Sequence, residues 1–124
     1  MKRLSFLFLL VSVATIMSSC HYGHGIFVKI SDSDHYYEMD AHFNKQATSH
    51  IDEFMDDKVG RSSNMSFVNT RIDGEIALDD HTSFYIRKYP GFLEIKLDKD
   101  KNSEESYLKI KSMCEGIRHM MSSN

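Results

Sequence analysis

Near the C-terminus the apolar pattern of this chain changes period once, and that change restricts the fold more than any other feature. Leu93, Ile95 and Leu97 alternate with Glu94 and Lys96, the period-two pattern of a strand with one buried face. From Tyr107 the apolar residues recur at steps of three, four, three and four through Ile110, Cys114, Ile117 and Met121, one stripe of an amphipathic helix. A stripe of that width has to be buried, and the strand surface just before it is the nearest apolar cover. Asn102 and Glu105 stand three apart at the junction, so Asn102 is expected to cap the helix.

The rest of the chain from Ile26 reads in the same terms. Ile26 to Ile30 is strand-like, Ser31 to Asp34 is a turn cluster, and His35 to Phe43 alternates. Tyr37, Met39, Ala41 and Phe43 fall on one face, with Tyr36, Glu38, Asp40 and His42 on the other, and the two segments predict a hairpin. Ala47, Ile51, Phe54, Met55 and Val59 share a helical face between Asn44, a natural N-cap, and Gly60, a natural stop. Four strands are then expected: Ser66–Ile72, Glu75–Leu78, Thr82–Tyr89 and Phe92–Leu97. Their turns are Asp73-Gly74, Asp79-Asp80-His81 and Pro90-Gly91. The order ββαββββα predicts an α+β domain over residues 26–121: a hairpin and a four-strand meander in one antiparallel sheet, covered by two helices. A polar tail, 122–124, follows.

The first twenty residues belong to no such domain. Lys2 and Arg3 precede a nearly unbroken apolar run from Leu4 to Ile16, and Met17-Ser18-Ser19-Cys20 follows. Charged, apolar and small-residue regions in that order are a secretory signal. The run is short of the roughly 20 apolar residues that span a bilayer. The segment resembles the signal of bacterial lipoproteins, with Met17 where that family prefers Leu. The resemblance implies removal of residues 1–19, acylation of Cys20 and membrane attachment through lipid. The residue after Cys20 is His21 rather than Asp, which by the same resemblance favours the outer membrane over the inner one. Residues 20–25 form a short tether, and an extended chain covers about 3.5 Å per residue. The domain is therefore expected close to the bilayer.

Loss of that segment takes Lys2 and Arg3 with it. The 15 basic residues fall to 13 against 18 acidic ones, and the net charge moves from −3 to −5. That balance argues against nucleic acid as a partner. With Cys20 acylated, Cys114 has no cysteine to pair with, and its place in the helical stripe predicts a buried thiol.

Few constellations suggest chemistry. His21 and His24 can reach one ion from a flexible tether, but zinc takes four ligands. Asp98 to Asn102 starts like a calcium loop, yet Ser103 and Lys109 stand where a glycine and a bidentate glutamate belong. Cys114 and His119 point in different directions on one helix. Asp79, Asp80 and His81 share a turn and supply acid and base groups to a small hydrolase only if a pocket forms there. No nucleophile elbow or phosphate loop is present, so no catalytic residue and no cofactor is assigned. The surface of interest is the outer face of the sheet. If Phe84 and Ile86 point inward, then Tyr85, Arg87 and Tyr89 point outward, with Tyr36, Phe27 and Arg71 beside Asn69. Tyrosine and arginine have the composition of recognition surfaces. The leading expectation is a non-catalytic, lipid-anchored envelope module binding a protein, peptide or glycan near the membrane. The alternatives are a metal-binding lipoprotein using His21 and His24, with His81, and a small hydrolase.

Overall fold

A computed structural model describes residues 25–60 and 65–122. The signal, Cys20, His21, His24 and the last two residues of the tail lie outside the described residues. Within them the chain forms β1 (Phe27–Asp32), β2 (Tyr36–His42), α1 (Thr48–Met55), β3 (Ile72–Ala77), β4 (Ser83–Tyr89), β5 (Phe92–Asp98) and α2 (Glu104–Ser122). The strands make one antiparallel sheet in the order β1-β2-β5-β4-β3. The fold is α+β, an antiparallel sheet packed by two helices. No described helix is long and apolar enough to cross a membrane.

The N-terminal hairpin joins the later strands through β2 and β5, which pair Ala41 with Leu93, Met39 with Ile95, and Tyr37 with Leu97. All six side chains are fully buried on one face, as the alternation on each strand requires. Ile110, Met113, Cys114 and Ile117 of α2 and Ile51 and Met55 of α1 complete that core. Burial pushes the Cys114 thiol well above its usual range. Gly116 lies in the middle of α2, where glycine is normally unfavourable; a Cβ there would run into the Phe54 ring of α1.

The meander has three strands, not four. Asp73-Gly74 was expected to turn the chain, but both residues lie inside β3, opposite Arg87 and Ile86. Asp73 accepts a hydrogen bond from the Tyr85 hydroxyl at 2.7 Å, so cross-strand partners hold an extended conformation that the dipeptide alone disfavours. Residues 66–71 form no strand. The turn at Pro90-Gly91 is as expected: Gly91 has φ of 84°, the positive value a type II turn needs. Its amide donates to Thr48 Oγ1 at the start of α1.

Both helix caps differ from expectation. Asn44 makes no side-chain cap, and residues 45–60 wind through a 3₁₀ turn and α1 into a π turn that ends at Gly60. Ser103, not Asn102, caps α2, accepting from the Ser106 amide at 3.0 Å. Asn102 instead pairs with Ser83, accepting from its amide and donating to its carbonyl, both at 2.9 Å. Its amide group thereby continues the sheet hydrogen bonding beyond the end of β5.

One charged pair lies inside the core. Lys88 occupies an inward position of β4 and Asp52 an inward position of α1; they are 4% and 2% exposed and their charged atoms lie 3.3 Å apart. Lys88 also donates to the Thr70 carbonyl. Burial raises the Asp52 carboxyl above its usual value despite the neighbouring ammonium. At the opposite end of the sheet Asp32 accepts from Lys99 and from the Tyr107 hydroxyl, latching β1 to α2. Asp80 accepts from Lys109 of α2 at 2.9 Å.

Two outcomes follow from these pairs. Replacing Lys88 by Met alone should cost about 3 kcal/mol in urea unfolding, because Asp52 is left buried without its partner; Asp52→Leu together with Lys88→Met should recover most of the loss. Equal losses in both proteins would show that the pair is not what matters there. The surface carboxylates act through acid. The hydrogen bond and charge of Lys109 hold Asp80 at about 2, down from 3.8, and Lys99 and Tyr107 lower Asp32. The Asp80 contribution is complete above about pH 4 and disappears as pH falls through 2. That of Asp32 is likewise lost in acid, whereas Asp52, with its raised value, favours folding as it protonates. The urea midpoint should therefore drop between pH 4 and pH 2, and less steeply in Asp80→Asn.

Candidate functional site

Both helices cover the same face of the sheet. Along β4 the alternation puts Phe84 and Ile86 in the core and leaves Tyr85, Arg87 and Tyr89 on the opposite face. The strand registers arrange that face in cross-strand rows. The first is Phe27, His42, Phe92 and Tyr89. The second is Lys29, Asp40, Glu94, Arg87 and Asp73, and the third Ser31, Glu38, Lys96, Tyr85 and Glu75. Tyr36 faces Asp98 beyond the third row.

The outward residues singled out from the sequence fall into two groups. Arg71, Arg87 and Tyr89 meet at the first row. The Tyr89 ring stacks on Phe92 at 4.6 Å, His42 meets Phe92 edge-on at 5.0 Å, and Phe27 lies 6.3 Å from His42. Both guanidinium groups sit about 6 Å from the Tyr89 ring, and Arg87 also lies over Phe92 at 5.6 Å. Phe92 is consequently buried although it faces away from the core, while Phe27 remains 48% exposed. Most of this row satisfies itself through stacking and cation–π contact.

Tyr36 and Tyr85 belong to the other group. Lys96 stands between them, opposite Tyr85 in register and 4.4 Å above the Tyr36 ring, with Glu38 3.4 Å from its ammonium. Together with Glu75, Glu94, Asp98 and Lys101 they line a trough of about 450 Å³. Partial burial and the adjacent Asp40 raise the Glu94 carboxyl, and the bond to Asp73 keeps the Tyr85 phenol protonated to higher pH. The trough offers two phenols, two ammonium groups and three carboxyls, a set suited to multiple hydrogen bonds with a polar ligand.

No family model, curated protein or solved structure matches this chain. The site is defined by its own geometry.

Elsewhere the polar residues serve the fold. Asp80 is engaged by the Thr82 amide and Lys109. Asp100 pairs with His35 at 2.9 Å. Cys114 is buried and His119 exposed. Among the described residues no three or more His, Cys, Asp or Glu side chains gather as metal ligands would. Phe92, His42, Lys96 and Lys101 are site residues that sequence reasoning missed. The outward phase of β2 and β5 marks the first three, but only the register brings them to their neighbours.

The two groups should respond differently to truncation. Phe92→Ala removes a buried ring and is expected to cost about 3 kcal/mol, whereas Tyr36→Ala on the exposed rim should stay within about 0.5 kcal/mol. Thermal unfolding of the two variants tests this, and similar losses would mean that the rim is also structural.

Proposed function

We propose that this protein is a lipid-anchored, non-catalytic module of the cell envelope that binds a protein segment on the helix-free face of its sheet. The observation that carries the reading is the trough between Tyr36 and Tyr85, where a sheet with both helices on its other side leaves aromatic rings and charges of both signs open. Rings that bury area at little entropic cost, next to hydrogen-bonding charges, are the groups that dominate protein interfaces. Arg71, Arg87 and Tyr89, spent largely on one another, frame that surface more than they offer it. The anchor is Cys20, acylated by resemblance to bacterial lipoproteins, with the outer membrane as the favoured site. Several acyl chains make such attachment effectively permanent.

A photo-crosslinking residue placed at Tyr36 in the acylated protein in cells should capture one dominant protein. The same residue at Leu108, exposed on α2, should capture none. Tyr85→Ala with Lys96→Glu should lower the yield at least about tenfold, the loss of one interface hot spot, and Cys20→Ala should abolish lipid labelling. Equal capture from both positions would overturn the assignment of the face, and a glycan retained without a protein adduct would replace the protein segment by a saccharide.

A further inference from the structure

We propose that the domain lies against the bilayer with the end of the sheet where the chain enters β1, so that Phe27 and the groove beside Ile26 sit at headgroup level. The inference rests on the reading of Cys20 as the lipid anchor and adds an orientation to it.

Chain length supplies the first argument. Phe27 follows Cys20 by seven residues, which limits it to about 25 Å from an acylated Cys20 even with the intervening chain extended. The domain cannot turn its far end to the membrane without spending that whole reach.

The chemistry of that end supplies the second. The antiparallel registers bring the start of β1, the end of β2, the end of β4 and the start of β5 together there, as the row Phe27, His42, Phe92 and Tyr89. The row contains no carboxylate, and Arg71 and Arg87 lie over Tyr89. Tyrosine and arginine settle where hydrocarbon meets headgroups, because each has an apolar body and a polar tip, and an exposed phenylalanine beside them adds apolar area for the acyl boundary. Around the corner from Phe27, on the helix side, Ile26, Phe43, Ala47, Ile51, Met120 and Met121, with Asn44 and His50 among them, line a mainly apolar groove of about 440 Å³. Aromatic row and apolar groove are thus continuous through Ile26 and Phe27.

The opposite end supplies the third. Asp32, Asp34, Asp79, Asp80, Asp98 and Asp100 all lie in the turns and strand ends away from the tether. Lys99, Lys109 and Lys111 pair with Asp32 and Asp80 there, and an anionic leaflet repels the carboxylates that remain. Apolar and arginine-bearing at one end, acidic at the other, the domain has a polar axis along its strands. That axis points the acidic end, and the Tyr36 side of the trough, away from the lipid.

The chain contains no tryptophan, so single replacements report on each end. Phe27 and Tyr36 are both exposed, and neither replacement disturbs the core. Acylated full-length Phe27→Trp and Tyr36→Trp proteins are placed in phosphatidylethanolamine–phosphatidylglycerol vesicles with plain or brominated acyl chains and recovered by flotation. Phe27→Trp should shift its emission to the blue and lose most of it in brominated lipid, whereas Tyr36→Trp should be unaffected. Unquenched emission from Phe27→Trp in protein that floats overturns the docking and leaves the anchor standing. A blue shift without quenching puts protein, such as a second copy of the chain, on this end and also overturns it. Failure to float overturns the anchor, and the docking with it.

Discussion

The register of β2 against β5 governs this domain. The two strands come from distant parts of the chain, and every rung between them puts two side chains on the same side of the sheet. The pairs Ala41–Leu93, Met39–Ile95 and Tyr37–Leu97 supply the middle of the core. A slip of β2 by one residue would turn Tyr37, Met39 and Ala41 to solvent and bring Glu38 and Asp40 inside against Leu93, Ile95 and Leu97. Correct pairing therefore decides which face receives both helices and which is left bare. The outer rows, the trough and the buried Asp52–Lys88 pair are all consequences of that choice.

The parts of the fold legible in the sequence are those where one residue pattern speaks without competition. The α2 stripe and the alternations of β2, β4 and β5 appear where they were read, because each element buries one face against a continuous core. The errors lie where a local preference met a stronger partner. Asp73-Gly74 has the chemistry of a turn, yet Tyr85 bonds the aspartate from the neighbouring strand and β3 runs straight through. Asn102 has the chemistry of a cap, but Ser83 offers its amide both a donor and an acceptor, and Ser103 takes over the cap. Lys88 stands in phase with Phe84 and Ile86, a charge at an inward position that alternation gives no reason to expect. Its partner on α1 could be found only once the helix was known to cross that strand.

The candidate surface was legible in composition but not in grouping. Alternation places Tyr36, Tyr85, Arg87 and Tyr89 outside, and the structure agrees. Alternation cannot say which outward rings meet. Tyr89 is stacked on Phe92 and covered by guanidinium groups, so much of its area is already used within the molecule. Tyr36 and Tyr85 border open space instead. Residues of one type on one face thus divide into a structural set and an accessible set, and cross-strand register makes the division.

The distance in sequence between β2 and β5 also orders events in time. A chain made from its N-terminus completes the β1–β2 hairpin about fifty residues before the first residue of β5 exists. Through that interval Tyr37, Met39 and Ala41 have β1 on one side but lack the β5 strand that flanks them on the other. The central rung closes late, and the closing entropy of a long loop slows it further. The segment needed to lock the sheet is among the last of its strands to be made.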